Sequence, residues 1–117
     1  MDMKIPPEKL LIVWTSGERD VALKMVFMYA FNGKFKEWWQ DISVLIWGPS
    51  AQLAAKDEEI QDRLLNLKDA GVKLTACKAC TDSYGISEEI EKLGIEVIYV
   101  GEGFTKSLKE GWVTITF

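Results

Sequence analysis

Apolar residues in this chain fall into short unbroken runs separated by polar stretches of helical period. Leu10-Leu11-Ile12-Val13-Trp14 is such a run, closed by Thr15-Ser16-Gly17. Unbroken rather than alternating apolarity is what a strand covered on both faces shows, so the run predicts a first strand. Residues 18–31 predict a helix, with acidic residues in the first turn and Asn32-Gly33 as a left-handed stop. Residues 43–47 predict a second buried strand, closed by Gly48-Pro49, with the proline in the first turn of a short helix ending near Lys56. Asp57 is placed to cap a further helix, whose Ile60, Leu64 and Leu67 share one face before Gly71. Residues 72–76 predict a third strand that runs into a loop over residues 77–85. Ser87-Glu88-Glu89 opens another helix that Gly94 stops. Residues 95–100 and 112–117 predict the last two strands, with a short helix over residues 105–110 between them.

Strands alternating with helices imply right-handed βαβ units. The expected fold is a single α/β domain over residues 1–117, with a mostly parallel five-stranded sheet and helices on both faces. One helix departs from the usual amphipathic pattern: between Val21 and Phe31 only Lys24 is charged, so apolar residues surround the axis. Every helix of so small a domain has an outer side, and this one is expected to be buried in a subunit interface, making the protein a homo-oligomer.

Composition narrows the partners. The chain has 117 residues, 14 basic against 18 acidic, and a net charge of -4. No run of Lys or Arg offers a footprint for a phosphate backbone or an anionic membrane, so nucleic acid is not an expected partner. Residues 1–7 lack the apolar core of a signal peptide, and no apolar run approaches the ~20 residues of a membrane span, which gives an expectation of a cytoplasmic protein. Histidine is absent, which removes the usual general base and every Ser-His or Cys-His pair.

In an open parallel sheet, ligands bind beyond the carboxyl ends of the strands. The segments expected there are Thr15-Ser16-Gly17, Gly48-Pro49-Ser50, residues 77–85 and Gly101-Glu102-Gly103. Only one of them carries nucleophiles, in Cys77-Lys78-Ala79-Cys80. As a metal site this pair supplies two thiolates of the four that structural zinc takes, and the chain has no other cysteine to complete it. An inert buried pair is the bland reading. The remaining reading is a reactive thiol, near the start of a helical turn with Lys78 beside it, and a second thiol three residues away to resolve a mixed disulfide or persulfide.

The stretch Cys77-Lys78-Ala79-Cys80-Thr81-Asp82-Ser83-Tyr84-Gly85-Ile86 resembles the DsrE/DsrF-like sulfur-relay family, in which a cysteine just after the third strand precedes a Gly-Ile or Gly-Leu by eight residues. Trp47-Gly48-Pro49-Ser50 is similar to the family's second-strand ending. The resemblance implies a flavodoxin-like shape, assembly into dimers, trimers or hexamers, and no cofactor. It also implies sulfane sulfur carried as a persulfide on Cys77, exchanged with donor and acceptor proteins or small thiols, with Cys80 matching a second cysteine of some members. Tyr84 stands where many members carry an arginine before the glycine, here Gly85.

Thr15, Ser16, Gly17, Gly48, Ser50, Lys78, Tyr84 and Gly85 are the candidates for holding an anion or substrate at that edge. Thr15-Ser16-Gly17 has a partial likeness to the phosphate loop of flavodoxins, while Ser16 and Ser50 also suit plain helix caps. Two further functions use the same edge: a non-covalent small-molecule or anion-binding module, and a regulatory oligomeric subunit whose cysteines are incidental.

Overall fold

In a computed structural model, which describes residues 8–117, the strands are β1 (Lys9–Trp14), β2 (Asp41–Ile46), β3 (Lys73–Cys77), β4 (Glu96–Ile98) and β5 (Val113–Thr116). They form one sheet in the order β4-β3-β2-β1-β5 in which every pairing is parallel. The helices are α1 (Arg19–Val21), which runs through a π-helical stretch (Ala22–Val26) into α2 (Phe27–Phe35), then α3 (Ser50–Lys56), α4 (Glu58–Asp69), α5 (Lys78–Tyr84), α6 (Ser87–Lys92) and α7 (Gly101–Lys109). The expectations for residues 1–7 lie outside the described residues.

The strand order decides where the helices go. The crossovers from β1 to β2, β2 to β3 and β3 to β4 all step in one direction, and right-handed crossovers therefore lay their helices on one face of the sheet. The β4-to-β5 connection steps back across the sheet, which sends α7 alone to the other face. Packing follows suit. On the thick face Leu10, Ile12, Trp14, Val44, Ile46 and Ala76 meet Val26, Phe27, Ala54, Ile60, Leu64 and Ile90 in one core. On the thin face Leu11, Val13, Leu45, Cys77 and Val100 form a smaller cluster, completed by Trp47, Cys80, Phe104 and Trp112. α7 buries no residue fully, and Leu108 on it is 46% exposed.

Several boundaries differ from expectation, each for a local reason. Asn32-Gly33 does not stop the first helix, which continues to Phe35. Gly33 is instead a point of close approach: a Cβ there would lie 3.0 Å from Ile42 Cδ1 and 3.4 Å from Trp39 Cδ1. The left-handed residue that turns the chain is Glu37, with φ 57°. The fourth strand is three residues rather than six: at the sheet edge it pairs only with β3, through Glu96, Val97 and Ile98, and Tyr99 beyond it is 69% exposed. Gly101-Glu102-Gly103, expected as a loop, is the first turn of α7. The Asp57 cap forms as expected, its carboxylate accepting from the Glu59 and Ile60 N–H groups at 3.0 and 3.1 Å.

Leu64 has no exposed surface in the middle of α4. Leu64→Ala is expected to lower unfolding stability by about 2–5 kcal/mol, the usual cost of such a core cavity, measured by urea denaturation.

Candidate functional site

The chain expected as a loop after β3 is a helix, and Cys77 belongs to both elements. It is the last residue of β3, still extended at φ -71° and ψ 114°, and it caps α5. The cap is made by sulfur: Cys77 Sγ accepts the Cys80 N–H at 3.4 Å. A strand turns successive side chains to opposite faces, so Lys73, Thr75 and Cys77 share the thin face. There Cys77 packs among Leu11, Val13, Leu45 and Val100 and keeps only 4% of its surface exposed. Cys80, one helical turn on, is half-buried beside the same cluster, and both cysteines are free.

Trp47 and Phe104 complete the surroundings, with ring centroids 5.1 Å apart in an edge-to-face arrangement. Burial, and after it the hydrogen bond to Cys77, pushes the Cys80 thiol above its ordinary value. A Gly48 backbone hydrogen bond acts in the opposite sense. Cys80 is therefore a thiol that holds its proton, facing a sulfur that accepts hydrogen bonds.

The edge segments meet as topology requires. Trp47 N–H donates to Trp14 O at 3.0 Å and Ser50 N–H to Thr15 O at 3.0 Å, which ties the ends of β1 and β2 together. Ser50 is fully buried and its hydroxyl donates to Trp14 O at 2.6 Å. Thr15 Oγ1 donates to Phe117 O at 2.8 Å, and Ser16 Oγ accepts the Glu18 N–H at 3.0 Å. These three hydroxyls serve the backbone. Gly17 sits beside Pro49, where an added Cβ would lie 3.5 Å from the proline ring. Gly48, with φ 80°, reaches the cysteine pair through its amide.

Lys78 turns outward. Its Nζ pairs with Asp82 at 2.7 Å and stands 5.7 Å over the Tyr99 ring. Among the described residues it makes no hydrogen bond to either sulfur. Ser87 Oγ lies 2.5 Å from Asp82 Oδ1 and 2.8 Å from Thr81 Oγ1, which fastens α5 to α6. Lys78, and after it Ser87, hold the Asp82 carboxyl below its ordinary range. A depressed carboxyl stabilises the fold above its unfolded pKa, and that contribution is lost as the pH falls through the folded one. Tyr84 and Gly85 stand at the far end of α5, roughly 10 Å of helical rise from Cys77, with Tyr84 37% exposed and Gly85 left-handed at φ 70°.

Sequence reasoning did not place Phe104 at the site, quoted Trp47 only as part of a strand ending, and did not foresee the contacts among Thr81, Asp82 and Ser87. The signal for Phe104 was its place just after the glycines of an edge segment. Among the described residues, no three His, Cys, Asp or Glu side chains are grouped to hold a metal ion, and no helix is long and apolar enough to cross a membrane.

An all-parallel five-stranded sheet with a cysteine pair at the strand-to-helix junction of β3 defines a class of small α/β thiol domains. Residues 8–117 match the DsrE/DsrF-like family, and the chain belongs to it. A conserved protein of unknown function, BT1422 from Bacteroides thetaiotaomicron, is similar at 35% identity and a TM-score of 0.91, over 94% of this chain and 95% of that one. The ychN protein from E. coli is similar at 20% identity and a TM-score of 0.73, over 94% and 99% of the two chains. MTH1491 from Methanobacterium thermoautotrophicum, also of unknown function, is similar at 17% identity and a TM-score of 0.75, over 93% and 99%. No protein with a curated description matches.

Because Cys77 is among the groups that raise the Cys80 thiol, Cys77→Ala is expected to lower it. The midpoint of the pH profile for iodoacetamide alkylation of Cys80 should move to lower pH in that variant; an unmoved or higher midpoint contradicts the coupling.

Proposed function

We propose that this protein carries sulfane sulfur as a persulfide on Cys77, with Cys80 as the resolving thiol. The observation that carries the reading is the sulfur–amide contact of 3.4 Å at the strand-to-helix junction, which gives one sulfur of the pair a donor while the other keeps its proton. Membership of the DsrE/DsrF-like family supports it.

In the loading step a lone pair of the Cys77 thiolate attacks the outer sulfur of a donor persulfide, R–S–SH. The inner S–S bond breaks, its electron pair leaves on R–S⁻, and Cys77–S–SH forms with no net oxidation. Transfer onward is the same exchange with an acceptor thiolate, on a partner protein or a small thiol. Resolution by Cys80 has a different product: the Cys80 thiolate attacks the Cys77 sulfur, hydrosulfide leaves, and a Cys77–Cys80 disulfide remains for a small thiol to reduce. Intact mass after incubation with inorganic polysulfide should show added sulfur on the wild type and on Cys80→Ser, and none on Cys77→Ser. Equal loading of Cys77→Ser ends this reading.

The proposed protein is a homo-oligomer joined through the outer side of α2. Met28, Phe31 and Phe35 on it, Met25 in the π-helical stretch before it and Trp38 just after it are exposed by 39–72%, and apolar area on this scale beside the edge strand β5 is what subunit interfaces cover. Sedimentation at micromolar concentration should give a species larger than one 13.3 kDa chain, and Met28→Lys should shift it toward the monomer. A monomeric wild type overturns the assignment.

A further inference from the structure

The thin face of the sheet has a groove that the persulfide chemistry alone does not use. It is about 130 Å³ in volume and lies between the sheet and α7. Its apolar wall is Leu11, Leu45, Ile98, Val100 and Phe104. Leu11, Leu45 and Val100 are also packed against Cys77, and Ile98 is the residue paired with Cys77 across β3 and β4. Thr75, another lining residue, precedes Cys77 by one step on the same face, about 7 Å along the strand. The groove therefore comes up to the cluster that encloses Cys77, one strand step short of the sulfur.

Its contents are set by size and charge. A cavity of about 150 Å³ accepts a benzene ring, so this one suits a body of about six carbon atoms. Among the described residues that line it, only Lys73 is charged. Lys73 lies four residues before Cys77 on the same strand and face, about 13 Å away along the backbone, so an anionic group and a sulfur fit it from opposite ends of an elongated apolar body. Cys77 keeps only 4% of its surface exposed, so a slender body carries a sulfur to it more readily than a flat surface does, and the groove brings such a body to within one strand step.

We infer that this groove is a subsite for the organic part of a small persulfide or thiol: an elongated apolar carboxylate whose sulfur meets Cys77 and whose carboxylate meets Lys73. The inference rests on the persulfide reading for its chemistry, which is the exchange already written, with the apolar carboxylate as R. The binding itself does not depend on that chemistry. α7 is the more lightly packed wall: none of its residues is fully buried, and its first turn holds Gly101 and Gly103.

Gly103 provides the test. It lines the groove, and a Cβ there would meet nothing within 4 Å, so Gly103→Leu adds bulk to the wall with room for its first carbon and replaces a helix-weakening glycine. Titration with 4-methylbenzoate, a thiol-free probe, should shift the methyl NMR signals of Leu11, Leu45 and Val100 in the wild type. Binding should weaken by about tenfold or more in Gly103→Leu and severalfold in Lys73→Glu. Absence of those shifts, or equal binding by Gly103→Leu, overturns the subsite. A second measurement compares sulfur loading of Cys77 from the persulfide of 4-sulfanylbenzoate with loading from inorganic polysulfide. Gly103→Leu should lower the ratio of the two rates by about tenfold. An unchanged ratio, or loading only from a protein-borne persulfide, overturns the inference. If neither donor loads Cys77, the persulfide reading fails and the methyl shifts alone decide the groove.

Discussion

A parallel strand reaches its neighbour only through a crossover, and the hand of that crossover decides which face receives the helix. Everything distinctive here follows from placing β5 on the far side of β1. Three crossovers cover one face with most of the helices, and the single returning crossover leaves the other to α7. The thick face has a core of fully buried side chains on both strands and helices. The thin face has a cluster of five buried residues, one of which is a cysteine. The cysteine pair lies where the covering is lightest.

That cysteine is where strand geometry and helix geometry meet. Extended backbone at Cys77 is required twice: to complete the pairing with Ile98, and to leave a helix cap outside helical φ and ψ. Sulfur is a weak acceptor, and the 3.4 Å contact to the Cys80 amide is long beside an oxygen cap. A serine or aspartate would cap α5 better. A cysteine in a capping position that favours oxygen trades some helix stability for a thiol at the sheet edge.

The class of fold could be read from the chain because both of its signals are local. Buried strands announce themselves as unbroken apolar runs, and the Asp57 cap and the Ile60, Leu64 and Leu67 face needed no tertiary context. What failed locally was decided by distant packing. Gly33 looked like a stop because Asn-Gly often is one, yet it lies within the helix because Ile42 and Trp39 press against it. The segment after β3 looked like a loop because seven residues make a poor helix in isolation. In place it is fastened at one end by sulfur and to α6 by Asp82 and Ser87. At the site, the place of the cysteine pair at the end of β3 was legible, and Gly48 as a neighbour of the edge. The roles of Thr15 and Ser50 were not, since their carbonyl partners come from residues 102 and 36 positions away. Lys78 showed the same limit: adjacent in sequence to Cys77, it is drawn off by Asp82 at the next turn of the helix.

The asymmetry within the cysteine pair bears on what a carrier must do. A persulfide next to a ready thiolate is short-lived, because the second sulfur displaces hydrosulfide and closes a disulfide. Burial is the main cause that keeps the proton on Cys80, and a protonated thiol attacks slowly, since the thiolate is the nucleophile. The same desolvation that encloses Cys77 thus restrains its neighbour, and under the proposed function sulfur placed on Cys77 persists until a competing acceptor arrives. On this reading the lightly covered face has two effects with one cause: it admits a slender reactant between the sheet and α7, and it excludes enough water to hold the second thiol in reserve.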